Sequence, residues 1–160
     1  MAASITWSES NGAGESVTDS LTNLNYGSAD TPNLTPADNK ITAGNYSYEK
    51  YNRIKVGGTF TELTDMKLWK SSGAYGTGEV INAIANQTYA TPVATASSKA
   101  TSAIPTAVGS ALTIQSTEAD TSKFATTGYS KYFVTQMATS ASTPPGVVAQ
   151  KVFTFQWSES

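Results

Sequence analysis

The chain has 160 residues, a formal net charge of −2 and a sequence pI near 5.0, with 14% charged residues and neither histidine nor cysteine. The acidic balance argues against a strongly basic nucleic-acid binder. The missing residue types remove the usual proton shuttle near neutral pH, the common zinc ligands and the readiest protein nucleophile.

What remains for catalysis is a carboxylate pair or a Ser–Lys pair, so no enzymatic role and no cofactor or metal is expected. Without cysteine no disulfide framework forms, which fits assembly inside a cell. At this length one core can be buried without such staples. Ser, Thr and Ala make up roughly 40% of the residues, a strong departure from average usage, so hydroxyls and backbone carry the solubility. Met1-Ala2-Ala3-Ser4 lacks a basic segment and an apolar stretch, so no secretory signal is expected. The longest apolar runs are too short for a membrane-spanning helix.

The first strand signal is Ile5-Thr6-Trp7. Residues 9–45 then carry turn signals at Asn11-Gly12, Asp30-Thr31-Pro32-Asn33 and Pro36-Ala37-Asp38-Asn39, with a short strand predicted at Ser20–Tyr26. Five of the six charges in residues 1–40 are acidic (Glu9, Glu15, Asp19, Asp30, Asp38). This segment reads as an arm or long connection that packs through Leu21, Leu24 and Tyr26. From Tyr46 to Val56 the alternation is clear: Tyr46, Tyr48, Ile54 and Val56 share one face, and Glu49, Tyr51, Arg53 and Lys55 the other. Gly57-Gly58 turns the chain, and Thr64–Lys70 alternates Met66 and Leu68 against Asp65, Lys67 and Trp69. The pattern predicts a hairpin or a closely connected strand pair.

Ser71–Gly78 is a loop, and Glu79–Ile84 is a short strand or one helical turn, with strand preferred. Residues 85–110 form a low-complexity excursion, predicted to be ordered and pinned by Tyr89, Val93 and Ile104. Ala111–Ile114 follows as a short strand. Tyr129–Ala138 is a strand with Tyr132 and Val134 opposite Phe133 and Met137. After the turn at Thr143-Pro144-Pro145-Gly146, the strand Val147–Trp157 aligns Phe153, Phe155 and Trp157. Seven or eight strands without an amphipathic helix predict an all-β, antiparallel β-sandwich, Ig-like or jelly-roll-like, with an extended N-terminal arm and one long irregular loop. The division is 1–44 for first strand and arm, and 45–160 for the sandwich.

Several motifs invite chemistry and lose to a plainer reading. Ser47-Tyr48-Glu49-Lys50 fits S-x-x-K, but on a strand residues three apart point to opposite faces. Gly73–Gly78 lacks the glycine order and the following helix of a phosphate cradle. Glu62 and Asp65 are a close acidic pair, best read as a solvated turn, and Glu118 and Asp120 lack calcium-loop spacing. Lys50, Arg53, Lys55, Lys67 and Lys70 read as a solvated sheet face or a patch for an acidic partner, not a nucleic-acid platform. The sequons at Asn33, Asn45 and Asn86 carry little weight without a signal. Trp7-Ser8-Glu9-Ser10 recurs as Trp157-Ser158-Glu159-Ser160, either because the two end strands share an environment or by coincidence in a Ser-rich chain.

Three stretches together carry a family resemblance. They are Tyr48–Val56 leading through Gly58-Thr59-Phe60 to Met66–Ser71; Tyr89–Val93 with Ser98–Thr101 and Ile104-Pro105-Thr106; and Gly128–Met137 with Pro145-Gly146 and the aromatic last strand. In this order, over about residues 45–160, the chain resembles the β-sandwich capsid decoration, cement or auxiliary head proteins of tailed bacteriophages. The resemblance implies a location on the virion capsid surface after assembly in the host cytoplasm. It also implies the major capsid protein as partner and a homo-oligomer, trimer or dimer, with no nucleic acid and no membrane involved. On that view Leu21, Leu24, Tyr26, Tyr89 and Ile104 are candidate interface residues, the 9–38 and 85–110 segments lying between subunits. The alternative is a receptor- or carbohydrate-binding module of a phage head or tail fibre, stacking sugars on Trp7, Tyr51, Trp69 and Tyr75.

Overall fold

Period-two patterning places the long strands, and loop chemistry places the short ones. In chain order they are β1 (Ala3–Asn11), β2 (Ser16–Thr18), β3 (Lys50–Gly58), β4 (Leu63–Ser72), β5 (Glu79–Gln87), β6 (Ser102–Ala103), β7 (Leu112–Thr113), β8 (Lys123–Phe124), β9 (Gly128–Tyr129), β10 (Tyr132–Thr139) and β11 (Val152–Glu159). The structure, a computed structural model, describes residues 2–117, 121–146 and 149–160. The strands form two antiparallel sheets that pack on each other, an all-β sandwich. The larger runs β2-β1-β3-β10-β5-β6 with β9 also on β3; the smaller runs β11-β4-β7 with β8 also on β4.

β3 is the central strand, and both its edges are filled. β1 pairs along one edge from Ala3↔Gly58 to Ser10↔Tyr51, so the first strand belongs to the sandwich and only the residues after it form an arm. β10 and β9 take the other edge, at Phe133↔Asn52 and Lys55↔Tyr129. β4 therefore cannot fold back on β3 as a hairpin, and crosses to the other sheet. Gly58 makes that exit, with φ at +81° and an ideal Cβ position only 2.6 Å from the Ala2 carbonyl oxygen, so only glycine fits. The strand expected over Tyr129–Ala138 breaks at Ser130 and Lys131. There the Ile54 N–H donates to Ser130 Oγ at 2.9 Å, and Lys131 N–H donates to the Gln115 carbonyl.

Between the sheets lie Ile54, Val56, Leu63, Met66, Leu68, Ile114, Phe124 and Phe133, each 1% exposed or less. Trp7 meets Phe133 edge-on at 5.5 Å, and Phe155 stacks on Trp157 at 5.6 Å. Farther along, Ile81, Ala83, Ile104 and Met137 continue the core. The two terminal strands lie in different sheets but share this core: Trp7 and Trp157 pack on the same cluster, and the Ala3 N–H donates to Glu159 Oε1 at 3.1 Å. The repeated tetrapeptide thus marks a common environment for its tryptophans only, because Glu9 is buried and Glu159 is exposed.

The smaller sheet leaves part of the larger one uncovered, and irregular chain fills the gap. Tyr26 and Ile41 of the arm pack beside Ile81 and Met137, and Tyr26 Oη donates to Thr135 Oγ1 at 2.8 Å. No strand forms over Ser20–Tyr26: the Asn33 side-chain oxygen accepts the N–H groups of Thr22 and Asn23, and Ser20 adopts a φ of +58°. On the opposite face, the excursion after β5 roofs Tyr51, Tyr132 and Val134 with Ala100 and Tyr89. Gln136 nails it down, its Nε2 donating to the Ser47 and Thr95 carbonyls at 2.9 and 2.7 Å while its Oε1 accepts the Ser97 N–H at 2.8 Å.

Leu68→Ala removes a side chain with no exposed surface and should cost about 2–5 kcal/mol of unfolding free energy. Val152→Ala, at a residue 43% exposed, should change it by less than about 0.5 kcal/mol. Urea unfolding of both variants checks the contrast.

Candidate functional site

None of the motifs that invited catalysis is assembled. Ser47 Oγ donates to the Tyr48 carbonyl and accepts the Met137 N–H, whereas Lys50 Nζ donates to Glu9 Oε1 and the Thr31 carbonyl. The Ser–Lys pair therefore does not meet. Glu62 is ion-paired with Lys123, and Asp65 is an exposed residue at φ +53° in a bulge of β4. In the glycine loop the Gly76 N–H donates to Glu79 Oε2 at 2.8 Å, with a strand following and not a helix. Glu118 and Asp120 lie outside the described residues. Among the described residues no acidic group of three or more could hold a metal ion.

The five basic residues do not form one face. Lys50 points into the interior and is 1% exposed, which corrects its reading as part of a solvated patch. Lys70, at 7% exposure, lies 4.7 Å from the Tyr75 ring centre. Arg53 and Lys55 stand on the outer face of the larger sheet in a cluster of tyrosines. The Arg53 guanidinium is 4.0 Å from the Tyr129 ring centre and 4.8 Å from that of Tyr132, a cation–π arrangement, while its buried Nε has no hydrogen-bond partner among the described residues. Lys55 Nζ donates to Asp19 Oδ2 at 2.6 Å, and Ser8 and Tyr129 hydroxyls donate to the same carboxylate. These donors, Lys55 first and then Ser8, hold the Asp19 carboxyl below its usual range.

Tyr51, Tyr89 and Tyr132 form a ring trio with centres 5.1 to 5.9 Å apart. Tyr132 Oη donates to Glu15 Oε1 and Tyr89 Oη to the Gly12 carbonyl, both at 2.6 Å, which clips the β1–β2 turn to the sheet. Burial pushes all three phenols up to about 12, with Glu49, Asp30 and Glu15 respectively adding to it. A shallow cleft of about 250 Å³ opens between Glu15, Gln87, Tyr89, Lys131 and Tyr132, but its polar side chains are already bonded to the protein. A second depression, of about 390 Å³, lies between Phe60-Thr61 and the terminal Glu159-Ser160.

Of the nominated interface residues, Tyr26, Tyr89 and Ile104 commit their side chains within the chain; Ile104 is only 2% exposed. Leu21 and Leu24 stay partly exposed on the arm, where the Leu21 N–H donates to the Trp7 carbonyl at 3.0 Å. Of the aromatics proposed to stack on sugars, Tyr51 is 1% exposed and Trp7 packs on Phe133, leaving Trp69 and Tyr75 half-buried.

Two features escaped the sequence reading. One is the buried group Glu9, Asn11 and Lys50; its signal was a charge in the interior phase of β1, following Ile5 and Trp7 at period two. The other is β11. Its inner face is Phe153, Phe155 and Trp157, its bulges fall on β4, and its outer backbone edge has no strand partner among the described residues. From residue 152 to residue 158 it carries no charge and no proline, the devices that usually protect an edge.

No family model, no curated protein and no solved structure matches this chain.

Two titrations check the cluster. The folded pKa of Asp19 lies below 3.8, so its contribution to stability is present above that value and lost as pH falls through the lower folded one. Asp19→Asn should therefore reduce stability at neutral pH and flatten the acid limb of the stability curve. At the alkaline end, phenolate absorbance should show five of the eight tyrosines ionising late: Tyr51, Tyr89 and Tyr132 near pH 12, and Tyr75 and the more deeply buried Tyr26 also above the usual phenol range, or together with unfolding. Because these groups keep their protons longer when folded, stability should fall from pH 10 upward.

Proposed function

We propose that this chain is a decoration or cement protein of a tailed-bacteriophage head. In this reading it sits on the capsid surface as a homo-oligomer, binds the major capsid protein lattice and stabilises the shell, after assembly in the host cytoplasm. A cement protein works by mass action: whatever binds only the assembled lattice lowers that state's free energy. It needs area and edges, not titrating side chains.

The observation that carries the reading is the free edge of β11. Seven uncharged residues of strand, 152–158, present an outer backbone edge with no strand partner among the described residues, which a second copy can satisfy by antiparallel strand addition. In the symmetric register centred on Phe155, Thr154 faces Gln156 of the second copy and no like charges come opposite each other. The hydroxyl-rich, weakly charged surface permits close repeated packing without strong self-repulsion. The receptor- or carbohydrate-binding alternative has less support, since Trp7 and Tyr51 are engaged inside the fold.

Thr154→Lys with Gln156→Lys places like charges along the edge, on side chains that point away from the core. The parent chain should be oligomeric by light scattering and should restore heat tolerance to particles stripped of it. The double variant should stay folded, shift to monomer and bind stripped shells roughly tenfold more weakly, about 1.4 kcal/mol. Unchanged assembly would remove β11 as the contact, and parent protein that never associates with shells would remove the cement role.

A further inference from the structure

The group at Glu9, Asn11 and Lys50 is poorly explained as an ion pair alone. β1 and β3 pair Glu9 with Asn52 and Ser10 with Tyr51, and the next step of that ladder brings Asn11 opposite Lys50. The three side chains are buried, at 0%, 8% and 1% exposure. Glu9 Oε1 accepts from both of the others, Asn11 Nδ2 at 2.8 Å and Lys50 Nζ at 2.8 Å. One carboxyl oxygen thus holds a primary amine and a primary amide together. Asp30 Oδ1 accepts a second bond from Asn11 Nδ2 at 2.6 Å, and the Thr31 carbonyl accepts from Lys50 Nζ at 2.8 Å, so the arm closes over the group.

Two atoms here have no partner among the described residues: Glu9 Oε2 and the Asn11 carbonyl oxygen Oδ1 are both buried and unbonded. Buried acceptors without donors are costly, and a desolvated charge pair gains less than its Coulomb attraction suggests. A proton moved from Lys50 to Glu9 removes both charges and turns a buried acceptor group into one that can also donate. It also leaves a neutral amine beside an amide, the condition under which a buried lysine becomes a nucleophile. Fixed proximity of amine, amide and proton carrier then lowers the entropic barrier to their reaction.

We propose that the folded chain joins Lys50 to Asn11 by an isopeptide bond, with Glu9 as the catalytic proton carrier. Glu9 takes a proton from the Lys50 ammonium, and the free Nζ attacks Asn11 Cγ, forming the new C–N bond. Glu9 passes its proton to the departing Nδ2 as the Cγ–Nδ2 bond breaks. The second proton of the attacking nitrogen returns to Glu9, and ammonia leaves. No oxidant, reductant or co-reactant is needed: an amine and a primary amide become a secondary amide and ammonia, and a buried charge pair becomes a neutral link tying the first strand to the central one.

Mass spectrometry of the purified full-length chain tests this. The intact mass, after allowance for N-terminal methionine removal, should be lower than the sequence mass by one ammonia. Trypsin should fail to cut after Lys50 and should release residues 1–40 covalently joined to residues 41–53. Glu9→Gln and, separately, Lys50→Arg should retain the full mass while circular dichroism shows the same β spectrum. If either variant does not fold, the digest of the parent chain alone decides. An aged, folded parent chain of full sequence mass, giving separate peptides 1–40 and 41–50, overturns the proposal. So does conversion of Asn11 to aspartate without a link.

Discussion

The structure depends on one strand having no free side. β3 is flanked by β1 on one edge and by β10 and β9 on the other, with the two-sheet core beneath it and the tyrosine cluster above. A strand enclosed on all sides satisfies its own backbone but forces the rest of the chain to cover two faces. One face is covered by the smaller sheet with the arm, the other by the excursion after β5. This is why a chain with so much irregular sequence still closes a core. The irregular segments form its remaining walls, held by polar anchors such as the buried Gln136 and the exposed Asn33.

What could be read in advance was what alternation controls. The interior phase of Ile54 and Val56, of Met66 and Leu68, and the opposed faces of β10 are all visible in the residues, since a strand with one face in a core must repeat at two. Partnership was harder to see. That β4 joins the other sheet follows from β3 having both edges occupied, which is a long-range fact. The strand expected at Ser20–Tyr26 fails because the side chain of Asn33 captures the N–H groups that a ladder would use. Tyr26, Tyr89 and Ile104 were recognised as anchors, but whether an anchor docks on its own chain or on a neighbour depends on the path of the backbone.

The candidate site was legible only by subtraction. Without histidine and cysteine the options narrow to a Ser–Lys or a carboxylate pair; in the structure Ser47 and Lys50 bond to different partners and Glu62 is ion-paired with Lys123. Lys50 shows the limit of that approach. Its place among basic residues in the sequence points to a solvated sheet face or a patch for an acidic partner, yet its phase along β3 with Asn52, Ile54 and Val56 turns it inward onto Glu9. A charge in an interior phase, matched by an opposite charge in the same phase of the neighbouring strand, is the pattern to look for.

What remains on the outside is a hydroxyl-rich surface, a partly exposed arm and a strand edge with no partner among the described residues. These suit a protein that acts by covering area in a repeating assembly. The most direct measurement is a cryo-EM reconstruction of a phage particle that carries the chain. The account predicts the sandwich on the outer shell at lattice-related positions, with β11 buried against a neighbouring copy. Density for the sandwich at a tail or fibre tip with β11 facing solvent, or particles that lack the chain, would contradict it.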